Sequence, residues 1–393
     1  MSRLKRVLSL IESSRAYGRG CMSGVASYVR THRHWRVLHV ERSLSETLPS
    51  YLKDFKADGV LARVYTQRMA RSVDKLGIPT VDMMGAFLPA NGGSLDTDPY
   101  ECARLAADHF ISRGFRQMAF CGYPGFRFSD RRSRCFTEYL AEKGYEAAVF
   151  EHSASNYSIQ DIVSCERGGE LSEDDVVSWL KSLSKPVAIL AHNDIRGRQV
   201  LAACEQAGLR VPDDVAVLGI DNDEVICDLS IPPLSSIEPD TRLIGYEGAA
   251  MLDRLMEGEA APDTAVLIPP KQIHIRQSTD VLAVEDREMA AALRFVRDHA
   301  CDRINVGIVA EKLAMSRTTL DRRFHQILGR SVKAEIDRIR VERAKQLLDE
   351  TDYKISSIAE MTGYSIAAQF VTAFKRLAGL TPGEYRKRGR QIS

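Results

Sequence analysis

Asp194 closes the apolar run PVAILAHND, and Asp221, followed by Asn222, closes the core of VAVLGIDND. A carboxylate can accept hydrogen bonds from two adjacent hydroxyls, so acids at two strand ends suit a polyol in a largely dry site. The structural alternative is that each acid caps the helix that follows, as Asp194 would before IRGRQVL. A third stretch, SSRAYGRGCMSG at 13–24, follows the apolar run RVLSLI. It offers Ser14, Arg15 and Arg19 as donors and Tyr17 as an aromatic face for C–H surface. The same stretch also reads as a phosphate-cradling turn, with Glu41 closing WRVLHVE about where a ribose-binding acid would fall. The glycines argue against that reading. Gly18, Gly20 and Gly24 are spaced G-x-G-x-x-x-G and not G-x-G-x-x-G, and Arg15 and Tyr17 would crowd a pyrophosphate.

These residues need strands that deliver them to one end of a sheet, where open α/β folds place ligands. From residue 6 to about 280, strand-like runs (RVLSLI, WRVLHVE, DGVLARV, IPTVDMM, QMAFCGY, AAVFEH, PVAILAHND, VAVLGIDND) alternate with amphipathic stretches such as CARLAADHFISRG and GYEGAAMLDRLMEG. Apolar strands separated by helix-length segments predict parallel sheets with helices on both faces. So long an alternation predicts two lobes and not one sheet. The expected fold class is α/β, with a two-lobed body of parallel sheets over 1–280 and an all-α tail over 285–393. STDVLAVED is the junction between them.

The tail repeats itself. VGIVAEKLAMSRTTLDRRF lies on ISSIAEMTGYSIAAQFVTAF, with Ala310 on Ala359, Glu311 on Glu360, Leu320 on Phe370 and Phe324 on Phe374. Each copy reads as helix, tight turn, helix, with a serine placed to cap the second helix: a helix-turn-helix, found twice. VKAEIDRIRVERAKQLLDET forms an amphipathic connector helix between them. Charge follows the same division. Residues 285–393 carry 21 Lys+Arg against 15 Asp+Glu, whereas residues 1–284 carry 33 against 38. A basic tail on an acidic body points to a polyanion partner for the tail alone.

The 393 residues are 44% hydrophobic, with no apolar run approaching the roughly 20 residues of a membrane helix. MSRLKRVLSLIESS reads as a first strand and not a signal peptide. Eight cysteines are scattered singly without a CxxC pair, which fits reduced thiols in a cytoplasmic protein. The histidines show no metal-ligand spacing, and G-x-S-x-G, H-E-x-x-H and Walker loops are absent. The expectation is no enzyme, no cofactor, no metal and no membrane partner.

The tail resembles the DNA-binding domain of AraC-family regulators through MSRTTLDRRF, RVERAKQLL, IAEMTGY and FVTAFKRLAGLTPGEYR. The body resembles the type I periplasmic-binding-protein fold of LacI-type repressors through RRSRCF at 131–136, ND at 193–194, GIDND at 219–223 and RQST at 276–279. A LacI-like body with an AraC-type tail is the arrangement of the xylose operon regulators, whose versions AYGRG, GIDN and PPKQIHIRQSTD resemble. That resemblance implies a transcription activator that senses a pentose, D-xylose, binds an operator in double-stranded DNA and forms a homodimer, through helices such as 68–77 or 99–114. It implies Asp194, Asp221 and Arg132 as hydroxyl clamps, supported by Arg196 and Asn222, with Asp98 as a further candidate. Ser14, Arg15, Tyr17 and Phe128 complete the expected ligand set, although Phe128 equally suits a core position. On DNA, Arg317, Thr318, Asp321 and Arg322 share one face of the first recognition helix, while Leu320 and Phe324 face the core. Arg322 suits a guanine or a phosphate. Asp321 suits a cytosine amine or the orientation of Arg322. Ala367, Ala368, Gln369 and Thr372 on the second helix offer few donors and suit thymine methyls and backbone.

Overall fold

The computed structural model describes residues 3–32, 35–41, 55–85, 87–151, 166, 173–280 and 287–392. The chain divides into two compact units, Met1–Leu282 and Ala283–Ser393. Much of the junction STDVLAVED lies outside the described residues.

Among the described residues, the first unit holds two six-stranded sheets. One contains β1 (Lys5–Leu10), β2 (Trp35–His39), β3 (Gly59–Ala62), β4 (Thr80–Asp82), β5 (Gly92–Thr97) and β11 (Val266–Ile268), in the order β11-β5-β4-β3-β1-β2. The other contains β6 (Gln117–Cys121), β7 (Ala147–Val149), β8 (Val187–Ala191), β9 (Val215–Ile220), β10 (Ser235–Glu238) and β12 (Gln272–His274), in the order β12-β10-β9-β8-β6-β7. All neighbours are parallel except β10 and β12, so both sheets are parallel-dominated, as the alternating pattern predicts. The chain passes from one sheet to the other three times: between β5 and β6, between β10 and β11, and between β11 and β12.

Central strands are apolar throughout because helices cover both faces. Every residue of β8 and β9 is buried, and Ile189 pairs with Val217. The body's helices are α1 (Ala16–His32), α2 (Gln67–Asp74), α3 (Pro99–Ser112), α4 (Arg127–Glu142), α5 (Glu173–Ser182), α6 (Asp194–Ala207), α7 (Glu224–Leu229) and α8 (Thr241–Met256). The glycines of the 13–24 stretch find their use here. A Cβ on Gly24 would lie 2.0 Å from the carbonyl oxygen of Arg242, and one on Gly245 would lie 1.9 Å from that of Cys21. They let α1 and α8 touch backbone to backbone, so they serve helix packing and not a phosphate turn.

In the second unit, α9 (Arg287–His299), α10 (Val306–Lys312), α11 (Arg317–Leu328), α12 (Val332–Glu350), α13 (Ile355–Met361), α14 (Ala367–Ala378) and α15 (Pro382–Ile392) form two small cores. Val309, Leu320, Phe324 and Ile336 belong to one, and Ile358, Phe370, Phe374 and Leu348 to the other. The connector α12 serves both. Its Arg340 donates from Nε to the Ala300 carbonyl at 2.6 Å and from Nη2 to that of Ile304 at 2.9 Å. The same guanidinium lies 5.1 Å from the ring centre of Tyr364 in the second half. The capping serine holds for one copy only. Ser316 Oγ accepts from the Thr319 amide at 3.1 Å, whereas Ile366 occupies the cap of α14 with no side-chain bond.

Candidate functional site

The carboxyl ends of strands from both sheets meet around one cavity of the body. The first sheet's side supplies Arg15 and Tyr17 after β1, Arg63 and Tyr65 after β3, and Asp96 and Thr97 at the end of β5. From the other side come Phe128 and Arg132 on α4, His192 and Asn193 after β8, Asp221 after β9, and Glu166. The chain is strained where it presents Asp221, at φ +115°, with Asn222 next at φ +46°. Left-handed backbone at non-glycine residues is uncommon and gathers at functional sites.

Charges interleave across this cavity. Arg131 Nη1 stands 3.5 Å from Asp96 Oδ2. Arg132 donates from Nη1 to the His192 carbonyl at 2.6 Å, while its Nη2 stands 4.0 Å from Asp221 Oδ1. Arg15 forms a two-armed ion pair with Glu166. Tyr17 Oη lies 3.1 Å from Thr97 Oγ1, fixing the ring. Burial pushes the Asp96 carboxyl up to about 6 against the pull of Arg132 and Arg131, and raises Asp221 in the same way. Burial and the surrounding arginines hold His192 well below the usual imidazole range, so it is neutral. Such a cavity presents carboxylate acceptors, guanidinium donors and the aromatic surfaces of Tyr17 and Phe128. That set matches the two faces of a polyol.

Five of the ten expected ligand residues line the cavity: Arg15, Tyr17, Phe128, Arg132 and Asp221. The other five are engaged elsewhere. Asp194 accepts from Ser236 Oγ at 2.5 Å and from the Asp223 amide at 2.7 Å, which ties α6 to the loop carrying Asp221. Arg196 stacks on Tyr123 and Phe150, at 5.0 and 5.1 Å, and binds Gln199. Asn222 accepts from Arg276 Nη1 at 2.9 Å. Asp98 caps α3, accepting from the Tyr100 amide at 2.9 Å. The Ser14 hydroxyl is bonded to the Glu12 carboxylate. Asp96, Arg63, Asn193 and Glu166 escaped the sequence reading. Asp96 is the penultimate residue of GGSLDT, whose glycines and polar residues hide a strand, and Glu166 belongs to no recognisable motif. Asn193 stands in the ND pair beside Asp194, whose carboxylate is the stronger hydroxyl-binding signal in the sequence.

The tail presents a second candidate surface. Arg317, Thr318 and Arg322 on α11 are exposed, as are Ala367, Ala368, Gln369 and Thr372 on α14. Asp321 is half-buried, and its Oδ1 accepts from the Val332 amide at 3.0 Å, at the start of the connector helix. Ala368, Gln369 and Thr372 line a cleft with Lys333 and Arg376. Among the described residues, no helix is long and apolar enough to cross a membrane, and no cluster of His, Cys, Asp or Glu is suited to a metal ion.

A periplasmic-binding body and a double helix-turn-helix tail in one chain define a transcription regulator of composite architecture. Residues 107–279 match the periplasmic binding protein-like domain family, and residues 309–388 match a helix-turn-helix domain family. The xylose operon regulatory protein of Haemophilus influenzae is 30% identical over 390 residues, covering 97% of this chain and 98% of its own. That of Escherichia coli K12 is 29% identical over 388 residues, covering 97% and 96%. A solved xylose-binding transcription activator superposes with a TM-score of 0.75 at 29% identity, covering 97% of both chains. The chain belongs to the family of the xylose operon regulatory proteins.

Proposed function

We propose that this chain is a cytoplasmic, homodimeric transcription activator that binds D-xylose in its body and an operator in its tail. The observation that carries the reading is the end-to-end likeness to xylose operon regulators, over 97% of the chain. The cavity chemistry supports it. Asp96 and Asp221 accept from sugar hydroxyls, Arg131 and Arg132 donate to them, and Tyr17 and Phe128 cover the C–H surface. The sugar draws the two sheets together, because its contacts come from strand ends of both. In the tail, the two helix-turn-helix units enter successive major grooves, roughly 34 Å apart on one face of the duplex. Arg317, Thr318 and Arg322 supply donors to the first groove, and the α14 residues supply methyl and backbone contacts to the second. The partner copy docks through α2 or α3. No reaction is catalysed and no cofactor is held.

Thermal melting of the purified chain with pentoses, hexoses and NAD(P) tests the reading. A rise in Tm with D-xylose above that with the other sugars is expected, since a ligand that binds only the folded state stabilises it. A rise with the nucleotide alone would point to an enzyme, and no rise with any of them to a body that serves only for dimerisation.

A further inference from the structure

The cleft between the two halves of the tail has no part in the operator contacts described above. Lys333, Asp337 and Arg340 reach it from the connector α12, and Arg376 reaches it from α14. Three cations thus share the lining with one acid. Asp337 is 6% exposed and both its oxygens are engaged: Tyr364 Oη donates to Oδ1 at 3.1 Å, and Arg376 Nη2 donates to Oδ2 at 2.8 Å. Arg340 is buried and donates to the Ala300 and Ile304 carbonyls. The other two cations are open. The Arg376 side chain is 58% exposed although one of its nitrogens is held on Asp337. Lys333, in the first turn of α12, is exposed and forms no ion pair among the described residues.

A duplex whose successive major grooves receive α11 and α14 carries its sugar-phosphate backbone past the space between the two halves. Ala368, Gln369 and Thr372, on the side of α14 assigned to the second groove, line the same cleft as Lys333 and Arg376. A phosphate arriving there meets exposed cations, and neutralising it releases condensed counterions from the DNA. We propose that Lys333 and Arg376 hold one backbone phosphate of the duplex in this cleft, between the two halves of the tail. Asp337 anchors the Arg376 guanidinium by one nitrogen and leaves the rest of the group to the phosphate. The proposal rests on the operator reading and adds to it a hold that is independent of sequence, since a phosphate carries no base identity.

The test is the salt dependence of DNA binding by the full chain and by Lys333→Met, Arg376→Met and Arg376→Lys. Two duplexes serve: one that the parent selects from a random-sequence pool, and a scrambled version of it. Each phosphate contact adds about 0.9 to the slope of log affinity against log salt concentration on B-DNA. Lys333→Met and Arg376→Met are each expected to make the slope shallower by that amount and to weaken both duplexes by the same factor. Arg376→Lys keeps the charge, so its slope is expected to match the parent's. An unchanged slope in Lys333→Met or Arg376→Met overturns the proposal. So does a loss confined to the selected duplex, which marks a base contact. Should Arg376→Met not fold, Lys333→Met decides by the same slope. A parent chain that selects no duplex contradicts the operator reading itself and this contact with it.

Discussion

Arg132 Nη2 stands 4.0 Å from Asp221 Oδ1, near enough to attract the carboxylate and too far to occupy it with a hydrogen bond. Asp221 therefore keeps acceptor capacity toward the cavity, while Arg132 spends Nη1 on the His192 carbonyl. Asp221→Asn keeps the volume and removes the charge. It is expected to weaken D-xylose by about 1–3 kcal/mol, some tenfold or more, with DNA binding in the absence of sugar unchanged. Calorimetric titration alongside a DNA retardation assay checks both halves.

Asp194 should behave differently, although both acids end strands and both follow an apolar run. Its two oxygens are spent on Ser236 Oγ and the Asp223 amide, and burial together with the charge of Asp221 raises its carboxyl well above the usual range. Asp194→Ala is expected to cost about 1–3 kcal/mol of stability, because it leaves buried partners unpaired. Its effect on sugar comes second-hand, through the loop that holds Asp221. Denaturant unfolding without ligand measures the first effect. A variant as stable as the parent but unable to bind D-xylose would restore Asp194 as a direct contact.

Asp82, at the end of β4, is fully buried, and burial pushes its carboxyl up to about 8, with the Val64 amide donating to Oδ1 at 2.9 Å. The folded state thus holds a proton that the unfolded chain releases near the ordinary aspartate value, about 3.9. Stability from this group is fully present below that value and is lost as pH rises toward 8. The slope it adds is up to about 1.4 kcal/mol per pH unit between those limits. Asp82→Asn should flatten the decline in denaturation midpoint from pH 5 to 8. An unchanged slope would mean that Asp82 is already ionised in that range.

On α11, neighbouring residues separate two roles. Asp321 caps α12 through the Val332 amide, so Asp321→Ala is expected to lower stability by about 0.5–2 kcal/mol and leave base preference intact. Arg322 is exposed, and Arg322→Ala should weaken operator binding by roughly 1–3 kcal/mol and relax preference at one base pair. Equal weakening on every duplex would make Arg322 a phosphate contact instead.

The parts of the molecule legible in the sequence are those where burial acts on one contiguous segment. β8 and β9 are apolar because both faces are covered, and the repeated helix-turn-helix is visible because Leu320 and Phe370 fill equivalent core positions. β5, β10, β11 and β12 were missed. They are short or carry polar residues, and tertiary pairing, not periodicity, makes them strands. The site was half legible for a related reason. Strand ends announce where acids stand, but Asp194, Asp98 and Asp96 differ only in what three-dimensional neighbours take up their oxygens. A sequence does not carry that partner list: Asp98 caps α3, Asp194 binds Ser236 and the Asp223 amide, and Asp96 alone of the three lines the cavity.

Whether sugar in the body governs the tail's hold on DNA is decided by one binding measurement. The full chain is titrated onto a duplex that it has itself selected from a random-sequence pool, with and without saturating D-xylose, and Asp221→Asn is run beside it. A several-fold change in DNA affinity is expected on adding D-xylose to the parent chain, and none in the variant. Identical affinity with and without the sugar, in a parent chain shown by calorimetry to be saturated with it, would mean that the body does not control the tail.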